Sequence, residues 1–169
     1  IVAIGCYTFD ELPKQLAQRG PGLMFDEPDT LPDLFVRDIV EGVNRTDIRA
    51  GVLKCAIDYP GLTAGVERVL RAVGQANVRT GAPISVHTSA RHGTGLAAQR
   101  VLREEGVDLG DVIIGHCGDS TDIDYLMRLA DEGSILGMDR FGMNETLPLA
   151  KRVATVAELI RRGYGDRLT

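Results

Sequence analysis

Two of the three histidines in this 169-residue chain end consecutive apolar stretches. His87 closes one stretch and His116 closes the next, while Lys54 lies inside the apolar run that precedes both. If the stretches are neighbouring parallel strands, their carboxyl ends meet at one edge of the sheet, and neutral imidazoles placed there can share a divalent metal ion. A histidine in this position can also be a hydrogen-bonded structural residue. The spacing leaves both interpretations open.

Other polar residues near these stretches can likewise be given either a structural or a chemical role. Lys54 could extend its ammonium to solvent, or its buried amine could form a Schiff base with a carbonyl substrate. Asp119 could cap the next helix or take part in chemistry. His92, in a glycine-flanked loop, is expected to be solvated, whereas Tyr7 and Arg140 follow the first and last strands at inward positions.

The apolar pattern predicts five strands separated by amphipathic helices. The fourth strand, Val112 to Ile114, is expected to be buried on both faces. The strands are predicted within residues 1–9, 50–57, 83–87, 112–114 and 134–138. Four glycines are predicted to end helices in left-handed conformation: Gly81, Gly106, Gly133 and Gly163. Repeated βα units imply a parallel sheet, and without a G-x-G-x-x-G motif an eight-stranded (β/α)8 barrel is favoured over a doubly wound sheet.

Two local features are also predicted. Thr121 and Asp124 have the spacing of a capping box before the helix that follows the fourth strand. The last helix shows four apolar positions: Val153, Val156, Leu159 and Ile160.

Composition excludes some classes of protein. The formal net charge of -5 argues against a nucleic-acid partner. No apolar run is long enough to cross a bilayer, and no signal peptide is visible. Cys6, Cys55 and Cys117 are expected to be buried free thiols of a cytoplasmic protein.

Several ordered motifs resemble the phosphotriesterase family of the amidohydrolase superfamily, and within it most closely the phosphotriesterase-like lactonases. The resemblance covers essentially the whole chain. The motifs are GCY (5–7), AGVLK (50–54), ISVH (84–87), EEGVD (104–108), IGHCGD (114–119) and LGMDRFG (136–142).

The resemblance implies a (β/α)8 TIM barrel with two divalent metal ions at its mouth. Lys54 would be carboxylated on its amine and bridge the two ions, and His87 and His116 would bind the second one. A hydroxide shared by the metals would be the nucleophile. Zinc is the expected metal, with cobalt, manganese or iron as alternatives.

The remaining roles follow from the same resemblance. Asp119 would carry the proton away, Tyr7 would line the site near the hydroxide, and Arg140 would order the substrate loop. The family's first-strand His-x-His pair and last-strand aspartate have no counterpart in this sequence. Residues 1–169 are therefore expected to form a single incomplete barrel domain, the central fragment of a longer hydrolase without the first strands and the last strand.

The expected activity is metal-dependent hydrolysis of lactones, such as acyl-homoserine lactones, with weaker activity on organophosphate triesters. The partner would be this small molecule, with a homodimer as a further expectation and with neither nucleic acid nor membrane involved. Two alternatives remain: a Schiff-base aldolase that uses Lys54, and a non-catalytic relative or fragment.

Overall fold

The computed structural model describes residues 3–4 and 29–169, which form a parallel sheet with helices packed against it. The strands are β1 (Ala3–Ile4), β2 (Val52–Ile57), β3 (Ile84–Thr88), β4 (Val112–Ile114) and β5 (Ile135–Leu136). Each strand pairs in parallel with the next one along the chain, so the spatial order equals the chain order. A doubly wound sheet would reverse this order near its middle. The prediction of consecutive βα units from a partial (β/α)8 barrel is confirmed.

Helices connect the strands and one more follows the last strand. They are α1 (Leu31–Val40), α2 (Ala64–Thr80), α3 (Thr94–Glu104), α4 (Ile123–Asp131) and α5 (Leu149–Arg161). Short 3-10 turns lie at Val43–Arg45, Ala90–His92, Leu109–Asp111, Cys117–Asp119 and Gly165–Arg167. After α5, Leu168 forms a parallel bridge with Leu136 of β5. The chain therefore continues the same winding to its last described residues.

The core lies between the sheet and the helices. Alternate residues of the strands point to this layer and are fully buried, among them Leu53, Ile84 and Ile114. Burial of each such side chain contributes about 1.5–3 kcal/mol relative to exposure. The opposite face of the sheet is less covered, since Ile113 is only partly buried within the described residues. The expectation that β4 is buried on both faces is therefore wrong for this part of the chain.

The helix ends agree with the glycine pattern but not with the predicted capping box. The four predicted glycines all have positive φ angles, of 68° at Gly81, 88° at Gly106, 113° at Gly133 and 91° at Gly163. At the start of α4, however, the capping residue is Asp122, whose side chain accepts a hydrogen bond from the Tyr125 backbone N–H at 3.0 Å. Asp122 therefore caps α4, whereas the predicted capping box gave that role to the hydroxyl of Thr121.

Helix α5 presents a polar residue to the interior. Arg152 is fully buried, whereas Val153 and Ile160 are 52% and 56% exposed. Of the four apolar positions noted in the sequence, only Leu159 is fully buried. Arg152, Thr155 and Leu159 share one helical face because residues three, four and seven positions apart lie above one another. The packing of this helix is thus set by an arginine as well as by leucine.

Two further expectations from the sequence concern the cysteines and membrane-spanning helices. Cys55 and Cys117 are buried thiols, as expected, whereas Cys6 lies outside the described residues. Residues 29–169 contain no helix whose length and apolar character would let it cross a bilayer.

Candidate active site and metal centre

His87, one residue before the end of β3, and His116, which follows β4, face each other. His87 Nδ1 lies 2.9 Å from His116 Nε2, and the rings are nearly perpendicular, with centroids 4.6 Å apart. The outer nitrogen of each ring contacts a carboxylate. His87 Nε2 lies 3.0 Å from Asp58 Oδ2, and His116 Nδ1 lies 3.0 Å from Asp139 Oδ1.

This arrangement fits a shared cation. If each outer N–H donates to its carboxylate, the inner nitrogens bring two lone pairs to one point, where a single proton or a metal ion satisfies both. Two nitrogens bound tetrahedrally to zinc at 2.0–2.1 Å would lie about 3.3 Å apart, close to the separation in this pair. Carboxylates behind metal-binding histidines fix the ring orientation and tautomer. Asp58 and Asp139 are placed to do this.

Backbone strain is concentrated at the same place. His116 and Arg140 have φ angles of 65° and 62°, in the left-handed region that residues other than glycine seldom adopt. The His116 backbone N–H donates to Asp139 Oδ2 at 3.2 Å, which helps to hold that conformation. Such residues cost of order 1–3 kcal/mol and cluster at functional sites. The fold therefore holds the His116 ring against a local energetic preference.

The electrostatic environment favours neutral His87 and charged carboxylates. Burial lowers the pKa of His87, and the charges of His116 and Lys54 lower it further, whereas the hydrogen bond to Asp58 and the charge of Asp58 oppose the shift. Burial by itself would raise the pKa of Asp58 and of Asp139. Their hydrogen bonds and charge interactions with His87 and His116 respectively lower both pKa values below the usual range. A neutral imidazole is the form that binds metal.

Lys54 projects from β2 toward the same face as His87. It is paired in register with Ser85, two residues before His87, and its Nζ lies 3.4 Å from Ser85 Oγ. Residues two apart on a strand share a face. Within residues 3–4 and 29–169, no group of three or more His, Cys, Asp or Glu side chains is arranged to hold a metal ion. The described ligand set is therefore two imidazoles, with the Lys54 amine on the same face.

Asp119 is held by two arginines. Its Oδ2 accepts from Arg140 Nη1 at 2.9 Å, and its Oδ1 forms an ion pair with Arg152 Nη1 at 2.6 Å. Thr146 Oγ1 donates to the same Oδ1 at 3.2 Å. The alternative in which Asp119 caps the next helix is not what the structure shows, because Asp122 fills that position.

A cavity of about 500 Å³ opens over this group of residues. His87, Asp119 and Arg140 line it, together with Asp58, Tyr59, Glu145 and others. His92 lies at its exposed rim, where its Nδ1 is 2.7 Å from Ser89 Oγ, in agreement with the expectation that it is solvated. Tyr7 lies outside the described residues.

Sequence reasoning did not assign a role to Asp58 or Arg152. Asp58 directly follows β2, so its position at a strand end was a signal that could have found it. Arg152 gave no such signal, because an arginine within an amphipathic helix is normally a surface residue.

Close packing of backbone precedes His116. The Gly115 N–H donates to the Val86 carbonyl oxygen at 2.7 Å, and a Cβ on Gly115 would lie only 2.8 Å from that oxygen. A side chain at this position would force β3 and β4 apart. Glycine thus permits the approach that brings the two histidines together.

Comparison with known proteins identifies the family of this chain. The profile of the phosphotriesterase family matches residues 1–169. An aryldialkylphosphatase from Saccharolobus solfataricus is 43% identical over 168 residues, which are 99% of this chain and 51% of that protein.

Two solved structures have the same fold. The phosphotriesterase from Mycobacterium tuberculosis, at 55% identity, superposes with a TM-score of 0.94 over 99% of this chain and 52% of its own. A structure from the engineering of organophosphate hydrolysis activity from a weak promiscuous lactonase template, at 30% identity, gives 0.76 over 82% and 43%. The chain spans about half the length of the curated relatives it matches. It belongs to the phosphotriesterase family.

Proposed function

We propose that this chain supplies part of the active site of a metal-dependent ester hydrolase that opens lactones and, more slowly, cleaves organophosphate triesters. The observation that carries the proposal is the pair of imidazoles, His87 and His116, whose inner nitrogens meet at 2.9 Å while a carboxylate backs each ring. In this proposal, residues 1–169 form one incomplete barrel domain.

His87 and His116 would hold one divalent cation, and Lys54 would join them after carboxylation of its amine. A lysine ammonium repels a cation, whereas a carbamate offers it two anionic oxygens. Bound cations would polarise the substrate oxygen and make hydroxide available near neutral pH. Imidazole and oxygen ligands suit zinc first, and also cobalt, manganese or iron.

Asp119 would accept the proton released when water attacks the ester. It borders the cavity beside His87, and Arg140 and Arg152 each bind one of its oxygens. Arg140 also begins the loop at residues 140–148, which would contact the substrate. Tyr7 is proposed, from the resemblance alone, to line the site near the attacking hydroxide.

The choice of substrate rests on relatives. One is called an aryldialkylphosphatase, and one structure derives from a weak promiscuous lactonase template. The cavity beside the histidines is of the size that small-molecule sites have. Lactones and triesters are both compact neutral molecules whose hydrolysis passes through attack at a polarised centre.

The test uses the full-length protein. Metal content by elemental analysis and the turnover of a lactone and a triester would be measured for the wild type, Lys54→Ala and His116→Ala. Lys151→Ala, an exposed lysine on α5, is the matched control. We expect both site variants to lose metal and turnover while the control keeps both. Undiminished turnover in the two site variants would overturn the proposal.

The same preparation separates the aldolase alternative. A Schiff-base enzyme would stay active after chelation, and borohydride would trap a substrate adduct on Lys54. A metal hydrolase would lose activity on chelation and recover it when metal is returned.

A further inference from the structure

We propose that Arg152 is a positioning residue that holds Asp119 and the loop at residues 140–148 in one arrangement for ester hydrolysis. This inference rests on the proposed function, in which Asp119 accepts a proton. Arg152 does not itself line the cavity, and none of its hydrogen bonds or ion pairs goes to the histidine pair. It contacts residues that do line the cavity, so its effect on the reaction would pass through them, and through Asp119 first.

The contacts of Arg152 reach three separate segments. Its Nη1 pairs with Asp119 Oδ1 at 2.6 Å, and its remaining bonds go to main-chain carbonyls and one hydroxyl. These acceptors are the Gly118 carbonyl at 2.6 Å, Asp139 at 3.4 Å, Leu147 at 3.0 Å, Met143 at 3.1 Å and the Thr146 hydroxyl at 2.5 Å. One guanidinium thus joins the turn that carries Asp119, the segment three residues after β5 that carries Asp139, and the loop that leads into α5.

Burial makes this arrangement specific. Arg152 is fully buried, and a buried charge is tolerated only when paired and hydrogen-bonded. All three of its side-chain nitrogens have partners, and Asp119 is the only carboxylate among the partners within the described residues. An apolar residue of similar size would fill the same space, so packing alone does not require an arginine.

The fixed geometry of the guanidinium matters as much as its charge. Arginine presents five N–H donors in a planar fork, whereas lysine presents three donors on one nitrogen. Lysine at position 152 could pair with Asp119 or reach the loop carbonyls, but it could not span both. If the ammonium reached the loop carbonyls, Asp119 Oδ1 would keep only the Thr146 hydroxyl of the two partners described for it.

The experiment is a double-mutant cycle in the full-length enzyme. Lactone kcat and KM would be measured for the wild type, Arg152→Lys, Asp119→Asn and the double variant, with metal content for each. Arg161→Lys, an exposed arginine on the same helix, is the matched control. Misplacement of a reacting group by about 1 Å can cost roughly a hundredfold in rate, so we expect Arg152→Lys to lower kcat about tenfold to a hundredfold with KM and metal content little changed.

The effect of Arg152→Lys in the wild-type and in the Asp119→Asn protein distinguishes a positioning role from a general structural role. If Arg152 acts through Asp119, Arg152→Lys changes kcat less than about twofold once Asp119 is already asparagine. An equal loss of kcat in both backgrounds, or no loss in the wild-type background, would overturn the inference.

Two further outcomes are distinguishable. If circular dichroism shows that Arg152→Lys does not fold, Thr146→Val, which removes a partner of both Arg152 and Asp119, replaces it in the cycle under the same criteria. A wild-type enzyme that hydrolyses neither lactone nor triester would overturn the proposed function and this inference with it. A wild-type enzyme that is active, with an additive cycle, would overturn the inference alone.

Discussion

Replacement of Asp139 by asparagine tests whether a carboxylate behind His116 sets the metal site. The His116 ring nitrogen Nδ1 lies 3.0 Å from Asp139 Oδ1 and 2.9 Å from Oδ2, and the His116 backbone N–H donates to Oδ2 at 3.2 Å. Asparagine has nearly the same shape, but an NH₂ group takes the place of one oxygen. The remaining carbonyl oxygen can still face both His116 donors, but it carries no charge, so both hydrogen bonds lose their charge assistance.

The size of the effect follows from these contacts. A hydrogen bond to a charged group contributes about 1.5–3 kcal/mol. The Asp139 side chain is 42% exposed, so water compensates in part, and we expect a loss of about 1–1.5 kcal/mol in the free energy of unfolding. Loss of a carboxylate behind a metal-binding histidine typically weakens metal binding 10- to 100-fold. The lower bound corresponds to about 1.4 kcal/mol and is the value we expect.

The assay measures the metal dissociation constant by competition with a chromophoric chelator, and stability by urea denaturation of the metal-free protein. Asp166→Asn, at an exposed position after α5, is the matched control. We expect roughly tenfold weaker zinc binding for Asp139→Asn and no change for the control. A folded Asp139→Asn protein that binds zinc within twofold of the wild type would refute the reasoning.

Three further predictions follow. Asp58→Asn removes the charge behind His87 and should weaken zinc binding about 10- to 100-fold, as measured with the same chelator, and unchanged binding would contradict this role. Asp122→Ala should lower the free energy of unfolding by about 0.5–2 kcal/mol, because it removes the cap of α4, whereas Thr121→Ala should be nearly neutral in the same denaturation experiment. If the two alanine substitutions lowered the free energy of unfolding equally, the capping box predicted from the sequence would be supported instead. Because burial lowers the folded-state pKa of His87 below 6.5, its contribution to stability is complete above about pH 6.5 and is lost as the pH falls through that lower pKa. Urea denaturation of the metal-free protein should show this loss of stability, and His87→Gln should reduce it; an unchanged pH dependence in that variant would count against the assignment.

The fold was largely predictable because its signals are local. Apolar runs and helix-ending glycines repeat in every βα unit, and left-handed backbone at Gly81 and Gly133 follows from a steric rule that needs no tertiary information. The capping box failed because Thr121 and Asp122 are adjacent and both can cap a helix. Only the exact entry angle of the chain selects between them.

The site was predictable where residue type and strand end coincide. His87 and His116 come together because neighbouring parallel strands bring their ends to one edge, which pattern alone suggests. The partners of these rings depend on exact side-chain directions, so Asp58 received no role. Arg152 was missed for a different reason: its burial depends on a carboxylate 33 residues away and on carbonyls of an irregular loop, none of which leaves a periodic signal.

The absence of a side chain at Gly115 bears on which cation the protein selects. A Cβ at this position would lie only 2.8 Å from the Val86 carbonyl oxygen, so the close spacing of β3 and β4, which sets the distance between the two imidazoles, depends on glycine. Alanine at position 115 would push the strands apart and lengthen the distance between His87 Nδ1 and His116 Nε2. We expect competition dialysis of Gly115→Ala to show a preference shifted from zinc toward the larger manganese ion. The spacing of two backbone strands would then select the metal by its ionic radius, in addition to the selection made by the ligand atoms.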